Sequence, residues 1–295
     1  MVPPWSCSVR CAQVRQGLRA AQQGLDAASP YFKQGADAEP TDGEARRSFW
    51  HYDYMGGLTG LDLEEREEGV QFAGMKLRPI FPTINGPLDF PDDHPMLDHF
   101  RYLASVASHR PKISIPGPSC CHFRTALDDI RHAPYRDDVE HLMDDIIKTY
   151  QKAVQAFYDA GCRYLQLDDI FFAYLCDPKH RADKAAIGQD PDWLIEKYGY
   201  MMHESIKNRP PDMTIGMHMC RGNMMSTHAA EGSYHAVADT VFNKTGVDVF
   251  FMEYDTERAG DLDPLGELGK GSQRVMPVSY THLRAHETEA AVVCR

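Results

Sequence analysis

The sequence lacks any apolar run long enough to cross a bilayer, because its longest apolar stretches have only the length of a β-strand. It also begins without an apolar signal segment. Its eight cysteines are scattered along 295 residues, which argues against a secreted disulfide scaffold. We therefore expect a cytoplasmic protein in a reducing compartment, with no membrane partner.

Positive charge is scarce as well. Lys and Arg number 31 against 43 Asp and Glu, a formal net charge of −12. Because no basic stripe offsets this charge, a nucleic-acid backbone would be repelled. No G-x-G-x-x-G or Walker pattern follows a predicted strand, which argues against a nucleotide-binding doubly wound sheet. The expected partners are small molecules, not nucleic acid.

Short apolar runs that end abruptly in polar residues predict buried strands, and the polar residues at their ends are candidate functional residues. These runs are KISIPGPS (112–119), RYLQLDDI (163–170), TIGMHMC (214–220) and VDVFFMEYD (247–255).

Helical patterns lie between these runs. Apolar residues in segment 137–161 are spaced by three and four, and Gly161 is positioned to end that helix. Asp190 is a predicted N-cap with Pro191 at the first helical position of another helix. Alternating strands and helices predict an α/β fold with parallel strands. A (β/α)8 barrel of the TIM type fits best, incomplete at both ends.

The domain boundaries follow from composition. Residues 1–37 form an atypical N-terminal segment without an apolar strand, and 38–279 form the barrel domain. The Pro- and Gly-rich stretch 55–110 is predicted to be an elaborated loop over the functional face. The tail 280–295 resembles translated sequencing-adapter read-through, so we interpret it as non-native and do not count its histidines and cysteine as metal ligands.

The carboxyl ends of barrel strands converge on one site. His218 and Cys220 lie two apart on a predicted strand, so their side chains face the same way. About one strand–helix–strand unit separates Cys220 from Glu253, so all three can meet in a zinc site. Any one strand-end carboxylate is equally compatible with capping a helix or pairing with an arginine. Further candidates at predicted strand ends are Asp42, Glu44, Arg46, Arg47, Asp168, Asp169 and Asp255.

Six motifs in order carry a family resemblance: TDGEARRSFW, KISIPGPS, YLQLDD, AYLCDP, HMCRGN and EYDTERAG. Over residues 38–279 the chain resembles the cobalamin-independent methionine synthase superfamily, in particular its stand-alone C-terminal-domain-like members. The resemblance implies a zinc-dependent (β/α)8 barrel that moves a methyl group from a donor to the thiol of homocysteine. It also implies that His218, Cys220 and Glu253 are zinc ligands and that Glu44 and Asp168 hold the amino-acid part of the substrate.

Two alternatives stay open from the sequence. Arg46, Arg47 and Arg221 could read a sulfonate, so alkyl transfer to another thiol such as coenzyme M is possible. The other alternative is a truncated, inactive barrel. The family's fourth zinc ligand, a Cys in a C-G motif of the final strand, and its Gly-Ser-Tyr-Pro-like opening motif have no match here. We therefore expect weakened zinc binding and poor or no methyl transfer.

Overall fold

The computed structural model describes residues 40–42, 44, 46–65, 71–72, 75–76, 80–123, 125–222, 228–254, 257–269 and 271–278. The predicted N-terminal segment 1–37 and the predicted tail 280–295 lie outside these residues. Among the residues described, Cys120, Cys121, Cys162, Cys176 and Cys220 are free thiols.

The described residues form helices and strands in alternation. The helices are α1 (Tyr52–Met55), α2 (Pro95–Val106), α3 (Ser119–Phe123), α4 (Ala133–Asp137), α5 (Val139–Asp159), α6 (Phe171–Tyr174), α7 (Pro178–Ala186), α8 (Pro191–Ile206) and α9 (Ala238–Lys244). The strands are β1 (Thr59–Glu65), β2 (Gln71–Phe72), β3 (Met75–Lys76), β4 (Ile80–Asp89), β5 (Ile113–Pro116), β6 (Tyr164–Asp168), β7 (Thr214–Met219), β8 (Val249–Glu253) and β9 (Arg274–Val278). Short 3-10 turns lie at Leu127–Asp129, Tyr234–Ala236, Glu257–Ala259 and Asp263–Glu267.

The central sheet is parallel, with strand order β5-β6-β7-β8-β9. The four predicted strands are therefore adjacent and parallel, as expected, and the α/β fold class is confirmed. The described residues form a five-stranded sheet, so a closed eight-stranded barrel is not shown. In the register of the sheet Asp168 lies opposite His218, and Met219 lies opposite Met252. The last residues of three strands thus reach the same edge.

One face of the sheet packs against the long helices. On β6 and β7 the alternate residues Leu165, Leu167, Ile215 and Met217 are fully buried. The intervening residues point to the opposite face, called the inner face below, which carries Gln166, Asp168, Gly216 and His218 with Phe251 and Glu253 of β8. This inner face is only partly covered, because Gln166, His218 and Phe251 are half-buried.

The predicted helix signals are present where the sequence places them. Asp138 caps α5 by accepting the backbone N–H groups of Glu140 and His141. Gly161 follows the end of this helix with a φ of +100°. Asp190 caps α8 by accepting the N–H of Asp192. Side-chain caps of this kind satisfy donors that a helix start leaves unpaired.

The prediction of a loop over residues 55–110 is wrong. Strands β1 and β4 form an antiparallel hairpin, and α2 follows it. Two prolines in β4 obscured the strand pattern, but proline is tolerated in strands at the edge of a sheet, as both strands of this two-stranded sheet are. His94 begins α2 by accepting the N–H of Met96 through Nδ1, and burial lowers the pKa of His94 to about 4.

No helix among the residues described is both long and apolar enough to cross a membrane.

The glycine that ends α5 provides a test of this fold. The positive φ of Gly161 favours glycine, and a Cβ there would meet no atom within 4 Å. A substitution by alanine should therefore destabilise the fold through backbone strain and not through a steric clash. We expect Gly161→Ala to lower the free energy of unfolding by roughly 1–2 kcal/mol in urea denaturation. Gly266→Ala is the matched control, because its Cβ is equally unobstructed and its φ is not positive. Equal stability of the two variants would contradict the strained conformation at Gly161.

Candidate metal and substrate site

Three side chains that could bind a metal meet at the carboxyl ends of β7 and β8. His218 lies next to the end of β7, Cys220 follows that strand directly, and Glu253 is the last residue of β8. One ligand atom of each lies within 4.8 Å of the others. The structure therefore brings together the three residues that the sequence suggested as zinc ligands.

The environment of His218 favours positive charge. Nδ1 lies 3.6 Å from Asp168 Oδ1, and Nε2 lies 3.5 Å from Glu253 Oε1. Nε2 is buried and makes no regular hydrogen bond within the described part of the chain. Burial alone would lower the pKa of His218, but Asp168 and Glu253 raise it to about 9. The two carboxylates thus create a place where a cation is stabilised.

The donor set fits zinc. An imidazole, a thiolate and a carboxylate are common zinc ligands, and metal–ligand distances of about 2.0–2.3 Å require donor atoms a few ångströms apart. The present separations within 4.8 Å meet that requirement after small side-chain adjustments. Three protein ligands leave a coordination position for a small molecule, as in catalytic zinc sites.

Neighbouring groups hold these candidate ligands in place. The backbone N–H of Arg221 donates to Glu253 Oε2 at 3.2 Å, and the N–H of Gly222 donates to Cys220 Sγ at the same distance. The hydroxyl of Tyr234 accepts the backbone N–H of Glu253 at 3.2 Å. Such supporting hydrogen bonds orient metal ligands before the ion arrives.

Glu44 lies on the same side of the sheet in an unusual backbone conformation, with a φ of +58°. Its Oε1 accepts hydrogen bonds from Arg47 Nη1 at 3.1 Å and from the Ser114 hydroxyl at 3.3 Å. Burial raises the pKa of Glu44; Arg47 opposes that rise and the charge of Asp168 adds to it. The charges of Glu44 and Asp168 therefore interact, and Asp168 in turn lies beside His218.

Two predicted acidic candidates make local structural contacts instead. Asp42 Oδ1 accepts the backbone N–H of Glu44. Asp169 is fully buried and accepts the Ser119 hydroxyl at 2.5 Å, and burial raises its pKa to about 6. Asp255 lies outside the described residues.

The predicted arginines also have defined neighbours. Arg46 lies over the Tyr102 ring at 4.3 Å. Arg47 donates from Nη2 to the Ser114 carbonyl at 2.6 Å, in addition to its contact with Glu44. Arg221 is fully buried, and its guanidinium lies 4.3 Å over the ring of Tyr234.

Sequence reasoning missed two residues of the inner face. Lys112 donates to Gln166 Oε1 at 2.8 Å, and Gln166 Nε2 donates to Asp168 Oδ1 at 2.6 Å. Gln166 could have been found, because it lies two residues before Asp168 on a predicted strand and therefore on the same face. Lys112 carried no such signal, because its partner belongs to another strand.

A second group that could bind a metal consists of His235, Asp261 and Asp263. All three side chains are exposed, unlike the buried Glu253 of the first group. Exposed acidic groups are strongly hydrated, so this exposed cluster is a useful comparison for the partly buried group of His218, Cys220 and Glu253.

Comparison with known proteins relates this site to solved structures. No family model matches the chain. The crystal structure of a candidate vitamin-B12 independent methionine synthase from Listeria monocytogenes superposes with a TM-score of 0.63 and 34% identity, over 90% of this chain and 74% of that one. A B12-independent methionine synthase from Shewanella sp. W3-18-1, solved with selenomethionine, gives a TM-score of 0.62 over 90% of this chain and 69% of that one. Its identity is 16%, so it supports the fold alone.

Two uncharacterised Bacillus subtilis proteins are also similar. YxjG is 40% identical and YxjH 42% identical, each over 226 residues. These matches cover 76% of this chain and 59% of each relative, so the chain spans less than two thirds of their length.

Fold and site together define an α/β protein whose parallel sheet carries an imidazole, a thiol and a carboxylate at its carboxyl edge. With 34% identity over 74% of the Listeria protein, the chain belongs to the vitamin-B12 independent methionine synthase family. That it is a stand-alone, C-terminal-domain-like member stays a prediction.

Proposed function

We propose that this protein is a zinc-dependent methyltransferase that forms methionine by methyl transfer to the thiol of homocysteine. The observation that carries this proposal is the meeting of His218, Cys220 and Glu253 beside the acidic pair Glu44 and Asp168. Membership of the family supports it. The methyl donor is a second small molecule.

The thiol is the group that needs activation. A free thiol has a pKa of about 8.5, so most of it is protonated at neutral pH and is a weak nucleophile. Bound zinc would stabilise the thiolate form of the substrate. The role of His218, Cys220 and Glu253 is to hold the ion, and Tyr234 and the backbone at 221–222 keep two of these ligands oriented.

The acidic pair is suited to the amino-acid part of homocysteine. An ammonium group prefers carboxylate partners, and hydrogen bonds between charged groups are the stronger ones. Arg47 holds Glu44 through Oε1 while its own guanidinium is also bound to the Ser114 carbonyl. Glu44 is thereby fixed without being fully exposed to water.

Transfer to a sulfonate thiol such as coenzyme M is less favoured. Its recognition calls for a cation facing the substrate. Arg46 stacks on Tyr102, Arg47 pairs with Glu44, and Arg221 is buried against Tyr234. An inactive barrel is the remaining alternative, and measurable methyl transfer by the purified chain would exclude it.

The metal assignment is tested by zinc content. We expect Cys220→Ser to remove most bound zinc, because a thiolate is the strongest donor of the set. His235→Ala, in the exposed second cluster, should leave zinc content unchanged. Zinc is measured by atomic emission after dialysis, with circular dichroism to verify folding. Unchanged zinc in Cys220→Ser, or a loss in His235→Ala alone, would contradict the assignment.

The ammonium role is tested at Glu44. We expect Glu44→Gln to weaken homocysteine binding roughly tenfold or more, because it removes a charge-assisted contact while keeping the size of the side chain. Zinc content and binding of the des-amino analogue should not change. Calorimetry on the zinc-loaded protein measures both affinities.

Glu267→Gln, at an exposed position, is the matched control for the loss of one carboxylate. The ammonium role would be refuted if the unaltered protein bound homocysteine and its des-amino analogue equally well.

A further inference from the structure

A chain of polar contacts crosses the inner face of the sheet. It starts at Lys112, just before β5, continues through Gln166 and Asp168 on β6, and reaches His218 on β7. Lys112 Nζ lies 2.8 Å from Gln166 Oε1, and Gln166 Nε2 lies 2.6 Å from Asp168 Oδ1. The same Asp168 Oδ1 lies 3.6 Å from His218 Nδ1. The candidate metal ligand is thus linked to a lysine through two neighbouring side chains.

The lysine fixes which way the amide of Gln166 faces. An ammonium group has only donors, so the carbonyl oxygen of the amide must turn to Lys112. The amide nitrogen must then face Asp168, where a donor is needed to stabilise the carboxylate. The reversed amide would place its carbonyl oxygen against the carboxylate and would repel it. A single amide orientation is therefore favoured at both ends.

Lys112 is held in place independently of Gln166. Its ammonium lies 4.6 Å from the centre of the Phe251 ring and 5.4 Å from that of Tyr164. Its backbone N–H donates to the Pro40 carbonyl at 2.9 Å. Gly216 leaves room for these rings, because a Cβ there would approach both of them within 3.2 Å. The position of the Lys112 ammonium group therefore does not depend on its contact with Gln166.

Gln166 also acts as a spacer. With the amide between them, Lys112 donates to the amide carbonyl and does not pair directly with Asp168. Lys112 therefore does not neutralise the carboxylate of Asp168 directly. Both contacts on Asp168 fall on Oδ1, and Oδ2 takes part in neither of them.

We propose that Gln166, oriented by Lys112, is a positioning residue that presents the second carboxylate oxygen of Asp168 to the ammonium group of the substrate. This inference rests on the proposed function and deepens it. It assigns substrate discrimination to a neutral amide and a distant lysine that do not touch the substrate.

The test compares two thiols. We expect Gln166→Met, which keeps the length of the side chain but loses both hydrogen bonds, to raise the Kd for homocysteine roughly tenfold. The Kd for the des-amino analogue should stay the same, because only the ammonium contact is affected. Both values are measured by calorimetry on the zinc-loaded chain, together with zinc content and thermal unfolding.

The lysine gives a second, independent measurement. Lys112→Met frees the amide to turn, so it should weaken homocysteine binding by a smaller factor and also spare the analogue. The double variant should bind homocysteine no more weakly than Gln166→Met alone, because the two residues act as one unit. If Gln166→Met does not fold, the selective effect of Lys112→Met still tests the proposal.

Gln155→Met is the matched control. Gln155 Nε2 donates to Asp159 Oδ1 at 2.8 Å on the exposed surface of α5, so this variant removes the same kind of contact away from the site. It should leave both affinities unchanged. A loss of affinity for both thiols alike in Gln166→Met, or independent additive effects of the two substitutions, would overturn the positioning role.

Failure of the proposed function gives a different result. Equal binding of the two thiols by the unaltered protein would contradict the ammonium role of Asp168 and the present proposal together. Discrimination that persists at full strength in Gln166→Met would contradict this proposal alone.

Discussion

The site depends on the parallel register of β6, β7 and β8. Backbone hydrogen bonds across these strands place Asp168 opposite His218 and bring the end of β8 level with the end of β7. A slip of one residue in β7 would turn His218 and Cys220 to the helical side of the sheet. The buried residues Met217 and Met219 oppose such a slip, because they would then lose their place in the core. Hydrophobic packing of Met217 and Met219 on one face of the sheet therefore keeps His218 and Cys220 on the other face.

Charge within the site follows from this arrangement. Strand ends bring Asp168 and Glu253 to one imidazole, and the charge of Glu44 acts on Asp168, so this surplus of negative charge favours a cation. The protein itself supplies basic groups at the edge of this cluster, and Arg258 Nη2 lies 3.9 Å from Glu253 Oε2. Arg47 contacts Glu44 from the side, and Lys112 lies one amide away from Asp168. The proposed function fills the centre of the cluster with cations from solution, a metal ion and an ammonium group.

The sequence predicted those parts of the fold that depend on neighbouring residues in the chain, namely helix caps, helical periodicity and strand ends. The caps at Asp138 and Asp190 and the apolar periodicity of α5 and α8 are such features, and the polar ends of apolar runs identified the strands. The hairpin β1–β4 was missed because its prolines interrupt the alternation. The contact between Lys112 and Gln166 could not be predicted, because it depends on the register between two neighbouring strands. Sequence spacing alone does not contain that register.

The backbone at Glu44 has a consequence for the evolution of this protein. A left-handed φ on a residue with a Cβ costs of order 1 kcal/mol or more, and a glycine in its place would remove that cost. Selection for thermal resistance alone would therefore favour the substitution Glu44→Gly, whereas selection for binding retains the carboxylate. Under the proposed role of Glu44 in binding the ammonium group, position 44 is a point where stability and activity trade against each other, and stabilisation of this protein should leave it untouched.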